Sequence, residues 1–522
     1  MKMKKFLILG ALAAGLLSAS CSKEIVTVYV PAPGVQEQKL VIALSSGSDE
    51  LSMKSGRPLL SQAADQDIQN VTLYFVNSEN SVVLVKEVNK GEWNNAVDYD
   101  KGKKLEVTLK KSNGEELADG EYDVYAVGFS DGVTSGTSDA YTFNEISKGD
   151  SWDDAAFYAT LKGSDAEEVF AGVSTVFAVT ASATEDMGAY SYLTAVSEGE
   201  PDNTPVVVLN RQVAGVTGYF TNIPVSVNGE TPAKIRLVAS KKYTQVNFTS
   251  LYGDETVTGT TKTYVVNGSV ESSETKVPFW NNDNQGFTVY EMLLSDWFKF
   301  GAADTESQRT TFADCDLNGD GYVGWLDALC YIYNKTGEAG DASSDFDTAN
   351  WATDYKGENG CKALSNFWVN PNSAEYPQQL VAGSLFAGRF VIPFDYATGV
   401  NTLELQLLGE NDVILKNWNV KVDQMTTAET QTTPTGTVAK PDESYYVYNI
   451  YRNHMYSLGS KGLDYDPDQP GLDPEDPDPD PKPEPDPDDP DTPDDPQDLN
   501  TTMDLQIHVN DQWEIIHNME ID

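Results

Sequence analysis

The last two dozen residues constrain this chain most. From Met503 onward, apolar side chains fall on odd positions: Met503, Leu505, Ile507, Val509, Trp513, Ile515, Met519 and Ile521. Asp511 and His517 break the row, and Ile516 is the only large apolar residue on an even position. Period two marks a strand that buries one face. Here it runs for about nineteen residues, or roughly 60 Å at ~3.3 Å per residue, where an ordinary strand has about five or six residues. The stretch before it, residues 464–498, is almost wholly Asp, Glu and Pro. Proline removes backbone donors and like charges repel, so this tract is predicted to be an extended tether that packs against nothing. A buriable strand on a stiff tether is predicted to pair with something distant, by strand addition into another molecule's sheet. The alternative is that the tail folds back and completes its own domain. That needs only a short turn, whereas the tether could span on the order of 100 Å at ~3.1 Å per residue.

The remainder reads as all-β. Short runs such as VTLYFVN at Val71, VVLVKEV at Val82 and YDVYAVGF at Tyr122 are bounded by Gly, Asn, Asp or Ser. That is the pattern of β-sandwiches. At 522 residues the chain has room for two or three domains with real cores. Two series of strands emerge, with a boundary expected between roughly Tyr219 and Pro232. A formal charge of −46 argues against nucleic-acid partners and against adsorption to anionic headgroups.

The amino terminus addresses the compartment. Met1 to Lys5 is basic and Phe6 to Leu17 is apolar but too short to cross a bilayer, as in a signal peptide. Ser18-Ala19-Ser20-Cys21 resembles a bacterial lipoprotein signal, although the usual leucine three residues before the cysteine is displaced to Leu17. The resemblance implies lipidation of Cys21 and an acyl anchor for the precursor; a plain secretory signal is the alternative. A first alternating strand at Leu40, Ile42 and Leu44 is followed by a polar link, residues 45–67, that carries Arg57. An exposed link with a basic residue is a natural proteolysis site. Pro58 opposes trypsin-like cleavage at Arg57, so Lys54 is the second candidate, and a mere surface arginine is the plain reading.

Residues 316–327 run DLNGDGYVGWLD. Oxygen ligands fall at loop positions one, three, five and twelve (Asp316, Asn318, Asp320, Asp327), with Gly321 at the sharp-turn position six and the Tyr322 carbonyl at seven. Hard oxygen donors at this spacing suit Ca²⁺, in a loop that resembles a single dockerin-type calcium repeat. The alternative is a turn rich in Asp, Asn and Gly without a metal. Cys315, Cys330 and Cys361 allow at most one disulfide if Cys21 is lipidated, with the pairing open.

Little points to catalysis. The only histidines are His454, His508 and His517, and no HExxH or phosphate-loop spacing appears. The acidic pairs Asp153-Asp154 and Glu167-Glu168 read as solvated surface. A non-enzymatic protein is expected.

A lipoprotein signal, a first strand before a basic link, two β-rich domains and a C-terminal alternating strand are similar in order to the Bacteroidales fimbrillins of the FimA/Mfa type. LNRQVAGVTGYFTNIP at Leu209 and YYVYNIYRNHMYSLGSK at Tyr445 resemble fimbrillin segments. The resemblance implies two tandem transthyretin-like β-sandwich domains and a stalk subunit of a cell-surface fimbrium. It further implies outer-membrane export, cleavage by a trypsin-like maturation protease, and partnership with identical subunits and with tip and anchor subunits. Loss of the first strand would open a groove that the neighbour's C-terminal strand fills. The expected organisation is therefore a signal peptide (1–21), a propeptide with the first strand (22–57), and sandwiches over 58–225 and 226–460. An insertion at about 296–378, an acidic linker (461–499) and a donor strand (500–522) complete it. The competing reading is a surface-tethered lipoprotein that binds glycan or protein without polymerising.

Overall fold

The computed structural model describes residues 38–44, 70–298, 311–327, 383–459, 497–500 and 505–510, with internal breaks in the longer spans. Cys21, Arg57, Asn318, Cys330, Cys361, Met503, Trp513, Ile515, most of the expected insertion and the acidic tract before Gln497 lie outside the described residues. The chain is all-β and forms two sandwiches.

The first is built from β1 (Gln38–Leu44), β2 (Asn70–Asn77), β3 (Val82–Val88), β4 (Val97–Tyr99), β5 (Gly102–Leu109), β6 (Gly120–Phe129), β7 (Tyr141–Phe143), β8 (Tyr158–Leu161), β9 (Val169–Ala181), β10 (Tyr190–Thr194) and β11 (Val206–Arg211). Its large sheet runs β3-β2-β6-β9-β11-β1-β5-β4, with β10 also on β9. The sheet curls on itself, because Leu40, Ile42 and Val107 from one end share a core with Leu73, Phe75 and Val124 from the other.

Burial patterns follow position in the sheet. At the edge, β3 alternates, burying Val82, Leu84 and Val88. β2 and β6 do not alternate, because both their faces are covered. Leu73, Phe75 and Val124 face the first core. Tyr74, Val76, Tyr125 and Val127 face a second one, where Trp152 stacks on Tyr125 with ring centroids 4.0 Å apart.

The second sandwich comprises β12 (Ala214–Thr221), β13 (Ile223–Pro224), β14 (Lys234–Ala239), β15 (Tyr243–Asn247), β16 (Gly268–Glu271), β17 (Val277–Pro278), β18 (Gln285–Leu293), β19 (Tyr322–Val323), β20 (Leu385–Val391), β21 (Leu403–Leu408), β22 (Ile414–Val422), β23 (Met455–Leu458), β24 (Gln497–Asp498) and β25 (Leu505–Asn510). Its main sheet runs β17-β18-β14-β21-β22-β25-β23-β12-β20, with β24 also on β12.

The chain changes sheets at Gln212 and Val213, ahead of the boundary expected near Tyr219–Pro232. Both residues are fully buried. Gln212 N donates to Val169 O in the first sandwich, and Val213 O accepts from Asn453 N in the second. Next to them Arg211 Nε meets Glu168 Oε1 at 2.7 Å, with both side chains almost wholly buried. The expectation that Glu167 and Glu168 lie on the solvated surface is thereby corrected: both are buried, and an ionised carboxylate is tolerated there because it has a partner. Asp153 and Asp154 are exposed.

A four-stranded sheet, β16-β15-β8-β7, draws two strands from each sandwich. Beneath it Phe390, Ile392, Val246 and Phe248 of the second unit pack with Trp152, Phe157 and Tyr125 of the first. Two cores joined by a third should melt together. We expect a single calorimetric transition for the folded body. Phe390→Ala should lower stability by about 3–5 kcal/mol, the cost of truncating a buried aromatic, without splitting that transition.

Candidate functional site

Two interior strands, one near each end of the described residues, bear on the expected exchange. β1 lies between β11, to which it runs parallel (Ile42 opposite Val207), and β5, to which it runs antiparallel (Ile42 opposite Leu105). β25 lies between β22, parallel (Leu505 opposite Val420), and β23, antiparallel (Val509 opposite Tyr456). Each is an interior strand with one parallel and one antiparallel neighbour, and each belongs to an end of the chain.

The β1 slot is apolar at its floor and polar at one end. Leu40 and Ile42 are fully buried with Leu105, Val107 and Leu209. Gln38 locks the strand's start: its Nε2 donates to Leu117 O at 2.8 Å and to Ser191 Oγ at 2.7 Å, and its Oε1 accepts from Leu117 N at 2.8 Å. Withdrawing β1 would leave the edges of β5 and β11 unpaired over an exposed trough, a costly state in water.

In the β25 slot, Leu505 and Ile507 are buried in the second core with Trp418, Val420, Tyr456 and Leu458. In the single chain the described part of the tail, residues 505–510, thus takes the fold-back arrangement, inside its own sandwich. Just upstream, β23 and β24 pair with the same strand: Leu458 sits opposite Gly218 and Gln497 opposite Phe220. The chain therefore leaves and returns at points two residues apart along β12, about 7 Å at ~3.3 Å per residue. Gln497 to Leu499, expected within the tether, are instead attached to the body. Leu499 is fully buried, and its N donates to Thr221 O at 3.0 Å.

The acidic loop packs nearby. Asp316 accepts from Gly319 N (Oδ1, 2.7 Å) and Gly321 N (Oδ2, 2.8 Å), Asp320 Oδ1 from Tyr322 N at 2.9 Å, and Asp327 Oδ2 from Gly324 N at 2.8 Å. Gly321 has φ +93°, a left-handed conformation that glycine adopts without strain and that position six requires. Burial pushes the Asp316 carboxyl above its ordinary value. The charge of Asp320 adds to the rise, while hydrogen bonds from Gly321 and Gly319 oppose it.

Asp327 is buried. Among the described residues, no three Asp, Glu, His or Cys side chains gather as a metal cluster. The loop leans on the body through β19, which pairs with β13, and through Val225 N donating to Gly321 O at 3.0 Å. Cys315 is buried beside Phe312 in the second core.

Gln38, Asn222 and Leu499 were not anticipated as part of this site. The signal for Leu499 was present, since it is the first apolar residue to follow the Asp/Pro run.

No protein-family model matches the chain, and no curated protein matches it. Solved structures do. It is similar to the fimbrial anchor protein Mfa2 from Porphyromonas gingivalis, at 13% identity over 49% of this chain and 73% of that one, with a TM-score of 0.24. It is similar to the tip fimbrial protein Mfa3 of the same organism, with a C-terminal truncation, at 8% identity over 80% and 93% with a TM-score of 0.24. A fimbrial assembly protein from Parabacteroides distasonis is similar at 13% identity over 40% and 66%, also at 0.24.

Proposed function

We propose that this chain is a structural, non-enzymatic subunit of a cell-surface fimbrium that polymerises by donor-strand exchange and supports adhesion. The observation that carries the proposal is the equivalence of the two slots. β1 and β25 are each interior strands that bury an alternating apolar pair, Leu40 and Ile42 or Leu505 and Ile507, so a strand of β25 character matches the face that the β1 slot buries. Export as a lipoprotein on Cys21 and cleavage near Arg57 would free β1 to leave and open that slot. The tail of the next copy, from Met503 through Ile515, would then fill it.

Length supports the scheme. β25 pairs over six residues and β1 over seven, whereas the alternating stretch runs about nineteen. The tail is therefore long enough to line the whole of the β1 slot. The subunit's partners would be identical subunits, with tip and anchor subunits closing the fibre. Sequencing the amino terminus of protein taken from the cell surface tests maturation: a start after Lys54 or Arg57 supports it, and a retained β1 contradicts it.

The second reading is a surface-tethered lipoprotein that binds glycan or protein and keeps its tail at home. The burial of Leu505 and Ile507 within their own sandwich favours it. Failure of the matured chain to form fibres would decide for this reading.

The loop at 316–327 is proposed to hold Ca²⁺ as a structural ion through Asp316, Asn318, Asp320, the Tyr322 carbonyl and Asp327. Calcium should raise the melting temperature, with a stabilisation approaching ~2.7 kcal/mol at a hundredfold excess over Kd. Asp316→Asn with Asp320→Asn should abolish the response. An identical melt with calcium and with a chelator would reject the site.

A further inference from the structure

Resting on the donor-strand reading, we propose that Asn222 is the catch of a latch that holds the tail at home. Asn222 follows the last residue of β12 in a left-handed conformation, φ +51°, which asparagine tolerates. Its amide lies between two segments that are remote in sequence. On one side Nδ2 donates to Asp498 Oδ2 at 3.0 Å. On the other, Oδ1 lies against Gly324, so closely that a Cβ there would stand 2.0 Å from it. The pairing of β13 with β19 stitches the acidic loop to the turn that Asn222 opens.

The tail side is closed by Leu499. Its side chain is fully buried in the second core, its N donates to Thr221 O, and its O accepts from Lys416 Nζ at 3.3 Å. Asp498 Oδ1 accepts from Asn500 N at 2.7 Å and closes the turn.

The consequence is one of reach. While Leu499 is seated, only residues 500–504 separate it from β25, which holds that strand within roughly 20 Å at up to ~3.6 Å per residue. With Gln497–Leu499 released, the whole acidic tract is added to the reach. The loop braces Asn222, Asn222 holds Asp498, and together they decide whether the strand stays or travels.

Two readouts on the full chain test this: amide hydrogen exchange at 505–510, and uptake of a fluorescent synthetic peptide of residues 497–522. Asn222→Asp sets a carboxylate against Asp498, and Gly324→Ala drives a methyl group into the Asn222 amide. Both variants should speed tail exchange and peptide uptake about tenfold, the scale of one lost hydrogen bond, with β1 amides unchanged. Adding Asp498→Asn to Asn222→Asp should restore the wild-type rate. Unchanged tail exchange in both variants would overturn the latch. So would acceleration spread equally over β1, which reports general loosening. Faster tail exchange in variants that, like the wild type, form no fibres once freed of residues 1–57 would uphold the latch while refuting donor-strand exchange.

Discussion

Deleting residues 503–522 should leave a folded but weakened protein that forms no fibres, and a synthetic peptide of the deleted residues should restore much of the lost stability. Leu505 and Ile507 are buried to within 1%, and burying such side chains stabilises by about 1.5–3 kcal/mol each. The ladder bonds of β25 to β22 and β23 add roughly 1 kcal/mol apiece. Losing them removes several kcal/mol from a total of about 5–15. The melting temperature should therefore fall by about 10 °C or more. The body stays folded because the second core retains Trp418, Tyr456, Leu237, Leu405 and their neighbours. An unshifted melt would mean that the tail does not occupy the β25 slot in solution.

The second large effect lies at the junction. Arg211→Met would leave Glu168 buried without its charge partner, and breaking a buried pair on one side costs about 3–5 kcal/mol. The guanidinium also sits over the Phe170 ring at 5.4 Å, so packing is lost as well. Replacing both residues, Arg211→Met with Glu168→Leu, should recover most of the loss, because the desolvated charge is gone. Denaturant titration of the two single variants and the double variant gives the coupling directly. Additive losses would show that the pair contributes nothing as a pair.

The strand content was legible because short apolar runs bounded by turn residues mark strands, as VVLVKEV of β3 does. β2 and β6 were legible as continuous apolar runs, but which cores their two faces serve depends on Trp152, Phe157 and Phe390, which are remote in sequence. The chain changes sheets ahead of the expected boundary because the one interruption of VVVLNRQVAGVTGYF, Asn210-Arg211-Gln212, carries no Gly or Pro. Three polar residues within a strand run do not by themselves mark a crossing. Glu168 was misread for the same reason: acidic neighbours look alike until Arg211 is brought beside one of them. The tail's alternation was plain in the sequence, yet period two says only that one face is buried, not whose core buries it. The Asp/Pro tract suggested distance, and only the pairing of both its flanks with β12 shows that its two ends meet the body side by side.

The central claim turns on which molecule buries Ile507. Fibres assembled from an equal mixture of light and ¹⁵N-labelled chains, freed of residues 1–57 and carrying a photo-reactive aliphatic residue at position 507, can be cross-linked and read by mass spectrometry. Donor-strand exchange predicts that about half of the cross-linked pairs combine one light and one heavy peptide, as random mixing between chains requires, with partners in β5 and β11 of the neighbour. Pairs of a single isotope only, joining position 507 to β22 and β23 of the same chain, would contradict it.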